Sequence, residues 1–564
     1  MFRKSDKSIQ LNMFSSHANV LTDRALKTYT DEQKWHNQFR KQVTHRIDEE
    51  IFRTLFIDGF GAPNAPIRIL VGMMILKEAQ GWSDAQLFEQ CQFNILVRSA
   101  LGLLNMDDPV PAASTYYLLR KRIVLHENEG NANLIEKVFS QVTKSQALEF
   151  QINGNKIRMD SKLLGSNIAW YSRYELIHEM VKKVYQRLKS EIDCFLTDVE
   201  ISFLTDICSE SGEKVSYRSN KSEIEKKLSE LGIVIYKIIS QMKDTPSDLL
   251  QTLTSLFHQQ YGIENEAVSL LPKQEISAQS IQSPHDTDCH YRKKGDDQIK
   301  GYSINVSETC EPKNAFDLIT SVLTEPASAA DSDFLQPAIT ATQKVVCQEI
   351  KTVNADGAYH SADNQNFCTE DSIDLVVSAI QGKPSRYDLA YDENEELIVT
   401  DLQTNTIVPC RRVETRKEDA EPKWAIQTEK NNYRYFTQKE ADTCLLRKQI
   451  AARTKEELNR RNNVEATIFQ LGFHYPNNKS RYRGLIKHKI WANVRCMWIN
   501  FVRIFKFLTI SGPNYAQNVG KSIFLPHFSL NFVKMGFEMV PDKIRLFHFS
   551  ENRLRSEIFK NDFL

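Results

Sequence analysis

The chain of 564 residues has few features that would mark a secreted, membrane-embedded or P-loop protein. Its ten cysteines form no C-x-x-C pair, so zinc and redox motifs of that spacing are excluded and reduced cytosolic thiols are expected. No signal peptide is expected, because the basic start MFRKSDKSIQLNMFSS has no sustained apolar run. The most apolar stretch, 490–510, contains Arg495, Arg503 and Lys506, and therefore predicts a buried helix rather than a membrane span.

The sequence also lacks a net charge of either sign. It has 72 basic and 72 acidic residues, so only a local excess of charge can indicate nucleic acid. Segment 447–506 has such an excess, with 14 Lys or Arg against three acidic residues, and four aromatic residues are interleaved with them: Tyr475, Tyr482, Trp491 and Trp498. This pattern suits a phosphate backbone with unstacked bases. A solvated basic helix face whose aromatic residues lie in the core would give the same pattern.

The N-terminal part has the periodicity of short helices. Apolar residues recur at helical spacing through 62–122, and Ser83 with Gln86 predicts a capping box at the start of one helix. The last helix of this group carries three consecutive basic residues, Arg120, Lys121 and Arg122. A small DNA-binding head and a plain helical bundle are both consistent with this pattern.

Two aspartates follow short alternating segments that predict strands. KIRMD ends at Asp160, and EIKTVNAD ends at Asp356. Carboxylates at the ends of neighbouring strands can converge, and hard oxygen ligands of this kind suit Mg²⁺ or Mn²⁺. The other interpretation is that each aspartate is a turn or cap residue, as strand-end aspartates commonly are.

Between and after these aspartates the pattern changes several times. Segment 171–270 is helical, with a capping box expected at Ser222 and Glu225 and a helix stop expected at Gly232. IKGYSINVSET alternates cleanly and predicts a half-buried strand. Segment 385–440 is β-rich, and a long helical region is expected over 437–508, with capping boxes formed by Thr437 with Glu440 and by Thr454 with Glu457.

Glu465 is the best candidate for a third carboxylate. It is predicted to lie on the helix that Thr454 opens, and Arg461, one turn earlier, could pair with it or hold a DNA phosphate. Glu456 and Glu457 are rivals, although acidic residues in a first turn usually serve the helix dipole.

Three segments of the chain form a linked pattern: RMDSKLL, NADGAYHSADN and RRNNVEATIFQLGFHYPNNKSRYRGLIKHKIWANVRCMWINFVRI. They resemble the catalytic blocks of the DDE-type transposases of bacterial insertion sequences. YRKKGDDQIKGYSINVSET looks like the second strand of this family. GAPNAPIRILVGMMILKEAQGWSDAQLFEQ with DDPVPAASTYYLLRKRI is similar to its helical N-terminal domain. The order and spacing of the blocks are kept over roughly 50–510.

The resemblance implies an α/β (α+β) fold with a ribonuclease-H-like mixed-sheet core flanked by helices. It implies that Asp160, Asp356 and Glu465 are catalytic and bind two Mg²⁺ (or Mn²⁺) ions, and that Arg461 matches the arginine one turn before the glutamate. The expected enzyme binds terminal inverted repeats, hydrolyses phosphodiester bonds and joins the freed 3′-hydroxyl to target DNA. Its expected partners are double-stranded DNA and a second copy in a homodimeric synaptic complex, with no membrane, in the cytoplasm and at the nucleoid.

The expected domain order follows from the same resemblance. A helical DNA-binding domain (1–150) precedes the first part of the catalytic core (151–384, with a helical insertion at 171–280), a β-rich insertion (385–440), the helices that carry the glutamate (441–510) and a tail (511–564). DNA contacts are expected from eight basic residues: Arg461, Lys479, Arg481, Arg483, Lys487, Arg120, Lys121 and Arg122.

Other interpretations remain open at this point. Leu458 and Gly472 stand where some relatives have Tyr and Lys, which keeps open a domesticated or inactive transposase-derived protein that binds DNA without cutting it. A helical interaction protein, in which the aspartates are only turn residues, is a third possibility. The crowded segment 285–290 contains two histidines, two aspartates and a cysteine, and a zinc site there is the less favoured interpretation.

Overall fold

A computed structural model describes most of the chain. The described residues are 1–5, 14–57, 59, 62–265, 267–380, 385–392, 396–413, 422–428 and 432–511. Residues Met1–Phe505 form one unit and Lys506–Leu564 a second, and the expected tail after residue 511 lies outside the described residues. All ten cysteines are free thiols. In the described ranges, no helix is both long and apolar enough to cross a membrane.

The N-terminal part is helical, as predicted. Its helices are α1 (His17–Val20), α2 (Asp23–Thr30), α3 (Trp35–Gln42), α4 (Ile67–Gln80), α5 (Asp84–Phe93), α6 (Ile95–Leu101), α7 (Ala113–Asn128) and α8 (Leu134–Glu149). The capping box of α5 is confirmed: Ser83 accepts from the Gln86 amide, and the Gln86 side chain accepts from the Ser83 amide. Helix α4 is buried on nearly all sides and forms the centre of this helical core.

A six-stranded mixed sheet forms the middle of the fold. Its strands are β1 (Lys156–Gly165), β4 (His290–Lys294), β5 (Asp297–Thr309), β6 (Ile319–Pro326), β7 (Thr352–Ala355) and β8 (Asp374–Val377). Strand β1 lies between β5, which is antiparallel to it, and β7, which is parallel, and β8 continues the sheet parallel to β7. Strand β5 also pairs antiparallel with β4 and β6. Together with the helices, this confirms the mixed α and β class.

Helices cover both faces of this sheet. Ile157 and Met159 of β1 pack with α14 (Leu335–Val346) on one face, where α15 (Ala362–Glu370) also lies. Ile304 and Val306 of β5 belong to the core of the N-terminal helices on the other face. The prediction that β5 is half-buried was therefore wrong: Ser303, Asn305 and Ser307 are as buried as the apolar residues between them. Polar and apolar residues alternate in β5 because both faces of the strand are covered, and one of these faces carries the polar side chains.

The helical insertion has a hydrophobic core of its own. It contains α9 (Arg173–Ile192), α10 (Asp198–Ser209), α11 (Gly212–Arg218), α12 (Lys221–Gln241) and α13 (Asp248–Gln260), followed by the hairpin strands β2 (Tyr261–Glu264) and β3 (Ala267–Leu270). The expected capping box at Ser222 and Glu225 was wrong, because the N-cap of α12 lies two residues earlier, where Asn220 and Glu223 cap each other. Gly232 does not end the helix.

Gly232 is instead a site of close packing within α12. A Cβ atom on this residue would lie 2.5 Å from Cε1 of Tyr261. Glycine therefore allows the tyrosine ring to lie against the helix, and the tyrosine hydroxyl donates to the Leu228 carbonyl one turn earlier at 2.8 Å. A helix stop signal and a packing glycine look alike in a sequence.

The segment predicted to be β-rich contains two three-stranded antiparallel sheets. One joins β9 (Tyr387–Tyr391), β10 (Leu397–Asp401) and β11 (Thr406–Val408), and the other joins β12 (Cys410–Val413), β13 (Lys423–Gln427) and β14 (Tyr433–Thr437). Leu389, Val399, Trp424 and Phe436 share a small core.

The long helical region expected after the β-rich segment consists of four helices. They are α16 (Gln438–Ala452), α17 (Lys455–Asn459), α18 (Asn463–Leu471) and α19 (Leu485–Ser511). The capping boxes at Thr437 and Thr454 are confirmed, and the second one marks a new start directly after Arg453, where the backbone is extended. A 3-10 turn, Arg460–Asn462, separates α17 from α18.

Candidate active site

Two adjacent parallel strands position Asp160 and Asp356. Asp356 directly follows β7, as predicted, but Asp160 lies in the middle of the ten-residue β1 and not at a strand end. The predicted strand end was wrong because β5 pairs with β1 as far as Gly165. Arg158 pairs with Asn354, so the two aspartates, each two residues further along, lie on the same side of the sheet.

The turn after Asp356 depends on a glycine. A Cβ on Gly357 would lie 1.8 Å from the carbonyl oxygen of Ala379, so only glycine permits this approach of two backbones. The carboxylate of Asp356 accepts from the Gly357 amide at 2.6 Å. That bond fixes the side chain at the edge of β7.

Glu465 lies in the first turn of α18, which packs across β1. The prediction that it shares a helix with Thr454 was wrong, since the Thr454 helix is α17. The two other candidates for the third carboxylate, Glu456 and Glu457, have other partners. Glu457 completes the capping box with Thr454, and Glu456, 82% exposed, lies 3.6 Å from Arg460.

All three carboxylates meet one guanidinium group. Arg461 Nη2 lies 3.0 Å from a carboxylate oxygen of Asp160 and 3.8 Å from one of Asp356, and its Nη1 lies 3.7 Å from Glu465. The side chain of Asp160 is 14% exposed, that of Asp356 44% and that of Glu465 63%. Asp160 is therefore the buried member of the three carboxylates, and Glu465 faces solvent. We call these four residues the carboxylate cluster.

The carboxylate cluster carries more negative than positive charge. Burial raises the pKa of Asp160, and the nearby Arg461 guanidinium acts in the opposite direction. With one arginine among three carboxylates, an additional cation would be favoured electrostatically. In the ranges that the structure describes, however, no three His, Cys, Asp or Glu side chains are arranged to hold a metal ion as they stand. The oxygen donors suit Mg²⁺, and in this arrangement their counterion is Arg461.

A second ion-pair network contacts α18 through Thr467. No pattern in the sequence predicted this network. Glu308 of β5 is fully buried, and its carboxylate accepts from Arg158 at 2.6 Å, from Arg503 at 2.7 Å and from the hydroxyl of Thr467 at 2.7 Å. Thr467 lies two residues after Glu465 on α18. The network therefore connects the glutamate helix to β1, β5 and α19 through one buried carboxylate.

Lys162 is a basic residue near the cluster that sequence reasoning missed. It lies on β1, two residues after Asp160 and on the same face of the sheet. Its side chain packs against Gly472, where a Cβ would lie 2.6 Å from Lys162 Cε. No carboxylate of the described chain forms an ion pair with it.

Three of the basic residues expected to contact DNA have backbone partners in the fold. Lys479 donates to the Ile168 carbonyl at 2.9 Å, Arg481 to the Gly81 and Trp82 carbonyls at 2.8 and 3.0 Å, and Arg483 to the Asn167 carbonyl at 2.6 Å. All three are nevertheless exposed. They connect the loop before α19 to the segments that follow β1 and α4, and their exposed surface stays available to an anion.

The aromatic residues of the basic segment belong mainly to the core. Tyr475 and Trp491 are buried and in edge contact, while Tyr482 and Trp498 are partly buried. Of the two interpretations of this segment, burial of its aromatic residues therefore fits better. The basic residues around them are divided between backbone contacts and the surface.

The three basic residues of α7 point in different directions, since consecutive residues on a helix are about 100° apart. The Arg120 guanidinium lies over the rings of Tyr116 and Tyr482, and that of Arg122 lies over Phe56. Lys121 is exposed. They do not form one basic face.

The histidine-rich segment 285–290 takes part in a buried hydrogen-bond network. Asp286 accepts from Tyr302 at 2.5 Å, from the Gly484 amide at 2.9 Å and from the hydroxyl of Ser166. His488 of α19 bridges Ser480 at 2.7 Å and the Gly484 carbonyl at 2.8 Å. Both carboxylate oxygens of Asp286 thus have partners, and one of them holds the Gly484 amide directly before α19.

The comparison with protein families gives one match, in the helical N-terminal part. Residues 28–122 match the family model described as Transposase domain (DUF772). The match extends from α2 to α7 and supports a transposase role for the chain in general terms. It does not reach the carboxylate cluster. No curated protein and no solved structure matches the chain.

Proposed function

We propose that the protein is a DDE-type DNA transposase whose catalytic residues are Asp160, Asp356 and Glu465. The observation that carries this proposal is the carboxylate cluster: three carboxylates from distant parts of the chain lie within 3.8 Å of one arginine. The resemblance selects the same three residues. The transposase-domain match over residues 28–122 supports the proposal independently, because it involves a different part of the chain. A ribonuclease-H-like core is part of the same proposal.

In this proposal, Asp160, Asp356 and Glu465 hold two Mg²⁺ or Mn²⁺ ions, since hard cations prefer carboxylate oxygens. Divalent ions supply the Lewis acidity that activates an attacking water or 3′-hydroxyl and stabilises the leaving oxygen. The side chains orient the phosphodiester and the attacking group. The 3′-hydroxyl freed by the first cut attacks target DNA, so one carboxylate set serves both steps.

Arg461 has two roles in the proposed enzyme. In the absence of divalent cation it compensates the carboxylate charge, as the three contacts of its guanidinium suggest. With a divalent cation on the carboxylates, the Arg461 guanidinium would be released to pair with a DNA phosphate, which is a favoured partner of arginine.

The bound DNA is a duplex that carries the terminal inverted repeats of the element. The half-exposed Glu465 and Asp356 leave the cluster open to a backbone phosphate. Lys162, and the exposed Lys479, Arg481 and Arg483, supply positive charge for the strand on either side. The proposed active form is a homodimer that holds two element ends in one synaptic complex.

The test is cleavage of labelled duplexes made from the DNA that flanks the gene, with Mg²⁺. Asp356→Asn and Glu465→Gln should each lower the cleavage rate at least about 100-fold, because each removes a proposed metal ligand, while duplex binding is retained. Asp363→Asn and Glu456→Gln are the matched controls, since both change exposed carboxylates outside the cluster.

The two possible failures have different meanings. Duplex binding without cleavage by the unmodified protein would favour an inactive, transposase-derived DNA-binding protein. Cleavage that survives Asp356→Asn would show that the proposed catalytic residues are wrong.

A further inference from the structure

A cleft between α4, α7 and α19 brings together basic residues that are far apart in the sequence. Its cavity volume is about 320 Å³. Arg120 and Lys121 of α7 lie on one wall, and Lys487 of α19 lies on the other. Neither the transposase-domain match nor the carboxylate cluster explains why these three cations share a concave surface.

The same cleft is lined by aromatic rings. Tyr116, Tyr117, Tyr482 and Trp491 all contribute to its wall. Tyr116 and Trp491 are buried and form the floor of the cleft, whereas Tyr117 is partly exposed at its opening. The Arg120 guanidinium lies 5.5 Å from the ring centre of Tyr116 and 5.7 Å from that of Tyr482. These contacts hold this cation in place before any ligand arrives.

The one acidic residue in the wall, Glu78, is already engaged. Its carboxylate accepts from the hydroxyl of Tyr475 at 2.6 Å and from the hydroxyl of Tyr482. It therefore fixes the aromatic wall, and the exposed Lys121 and Lys487 remain available to an anion. A cleft of this kind suits a planar aromatic group that carries negative charge.

We propose that this cleft binds a nucleotide, with its base against the aromatic wall and its phosphate at Arg120, Lys121 and Lys487. Nucleobases stack on aromatic side chains, and the phosphate is the partner of lysine and arginine. The volume suits one nucleotide and excludes a duplex or a peptide helix, which are about 10 Å or more across. The proposal extends the proposed function, because DNA is the source of nucleotides that a transposase meets.

The ligand is a nucleotide unit, either free or within an unpaired strand, and one experiment separates the two sources. Binding of a labelled single strand of about eight thymidines is measured by fluorescence anisotropy, in EDTA and at several salt concentrations. Thymidine monophosphate and inorganic phosphate are the competitors. Lys121→Ala/Lys487→Ala should weaken binding at least tenfold and reduce the salt slope by about 0.7, as expected for one lost phosphate contact on a single strand.

The aromatic part of the cleft has a test of its own. Tyr117→Ala should weaken binding at least about fivefold with no change in salt slope, because it removes stacking and not charge. Lys489→Ala is the control: it removes a positive charge from the same helix, but Lys489 lies outside the cleft wall and 3.6 Å from Glu127. It should stay within twofold of the unmodified protein, when binding is measured well below the Tm of every variant.

Competition identifies the source of the nucleotide. Displacement by thymidine monophosphate and not by phosphate assigns the site to a free nucleotide, and displacement by neither assigns it to a nucleotide within a strand. Equal displacement by phosphate would overturn the proposal, as would wild-type binding by the double variant or by Tyr117→Ala. Because EDTA removes divalent metal, this outcome is independent of cleavage, and either proposal can fail while the other stands.

Discussion

Arg461 donates a hydrogen bond of 3.0 Å to Asp160, although the two residues come from opposite ends of the proposed catalytic core. The 3-10 turn that carries the arginine contacts both β1 and β7. The same guanidinium also lies within ion-pair distance of Asp356 and Glu465. The counterion of the cluster is therefore built into the element that precedes the glutamate helix.

Arg461→Ala should make the protein more dependent on divalent cation. Without metal, the three carboxylates lose their counterion, and unfolding should become easier by about 2 kcal/mol. Added Mg²⁺ should then raise the Tm of the variant by more than it raises that of the unmodified protein. Arg460→Ala is the control, since Arg460 pairs with the exposed Glu456. Equal Mg²⁺-induced shifts in both proteins would contradict the assignment.

Thr467→Val should disturb the site through the position of α18. The substitution keeps the shape of the side chain but leaves the buried Glu308 without its hydroxyl donor at 2.7 Å, which costs about 1–3 kcal/mol. We expect a higher Mg²⁺ concentration for half-maximal cleavage, because Glu465 lies on the displaced helix. Thr467→Ser keeps the hydroxyl and should restore the Mg²⁺ dependence. Loss of stability with unchanged Mg²⁺ dependence would assign Thr467 a purely structural role.

His488 should make stability depend on pH in the acid range. Burial lowers the pKa of His488 from 6.5 to about 4, so the unfolded chain takes up this proton at a higher pH than the folded one. The neutral His488 therefore contributes up to about 3 kcal/mol to the free energy of unfolding. This contribution is complete above pH 6.5 and is lost as the pH falls to about 4. Denaturant unfolding at several pH values measures it. His488→Gln does not titrate and should show a smaller loss over this range, whereas parallel curves would refute the prediction.

Gly232→Ala should destabilise the helical insertion, although alanine has the higher helix propensity. The new methyl group would meet the Tyr261 ring at 2.5 Å, and overpacking of this kind costs about 1–3 kcal/mol. Ser229→Ala, on an exposed part of the same helix, serves as the control and should have little effect. Thermal unfolding distinguishes the two, and a Gly232→Ala protein with an unchanged or higher Tm would show that the packing is loose.

Local patterns predicted most of the elements and the position of one aspartate. The strand before Asp356, the alternating β5 and the capping boxes at Ser83, Thr437 and Thr454 depend on neighbouring residues, and the structure has them all. The full length of β1 could not be read in the same way. Its second half is a strand because β5 pairs with it, and that partner lies far away in the sequence.

Long-range contacts also determine the partners of charged residues, which the sequence patterns could not predict. The basic residues Arg481 and Arg483 look alike in the sequence whether they face solvent or hold distant carbonyl groups. The buried Glu308 resembles any other glutamate in an alternating strand. No residue near it in the chain indicates that Arg158, Arg503 and Thr467 donate hydrogen bonds to it. Such pairs become visible only after the sheet and α18 are assembled.

The most direct test of the central claim is diffraction from crystals soaked in Mn²⁺, with anomalous difference maps. We predict strong peaks within bonding distance of Asp160, Asp356 and Glu465, with the Arg461 guanidinium turned away from them, and no such peaks in Asp356→Asn crystals. Maps without a peak at these three carboxylates, or peaks that remain unchanged in Asp356→Asn, would contradict the account.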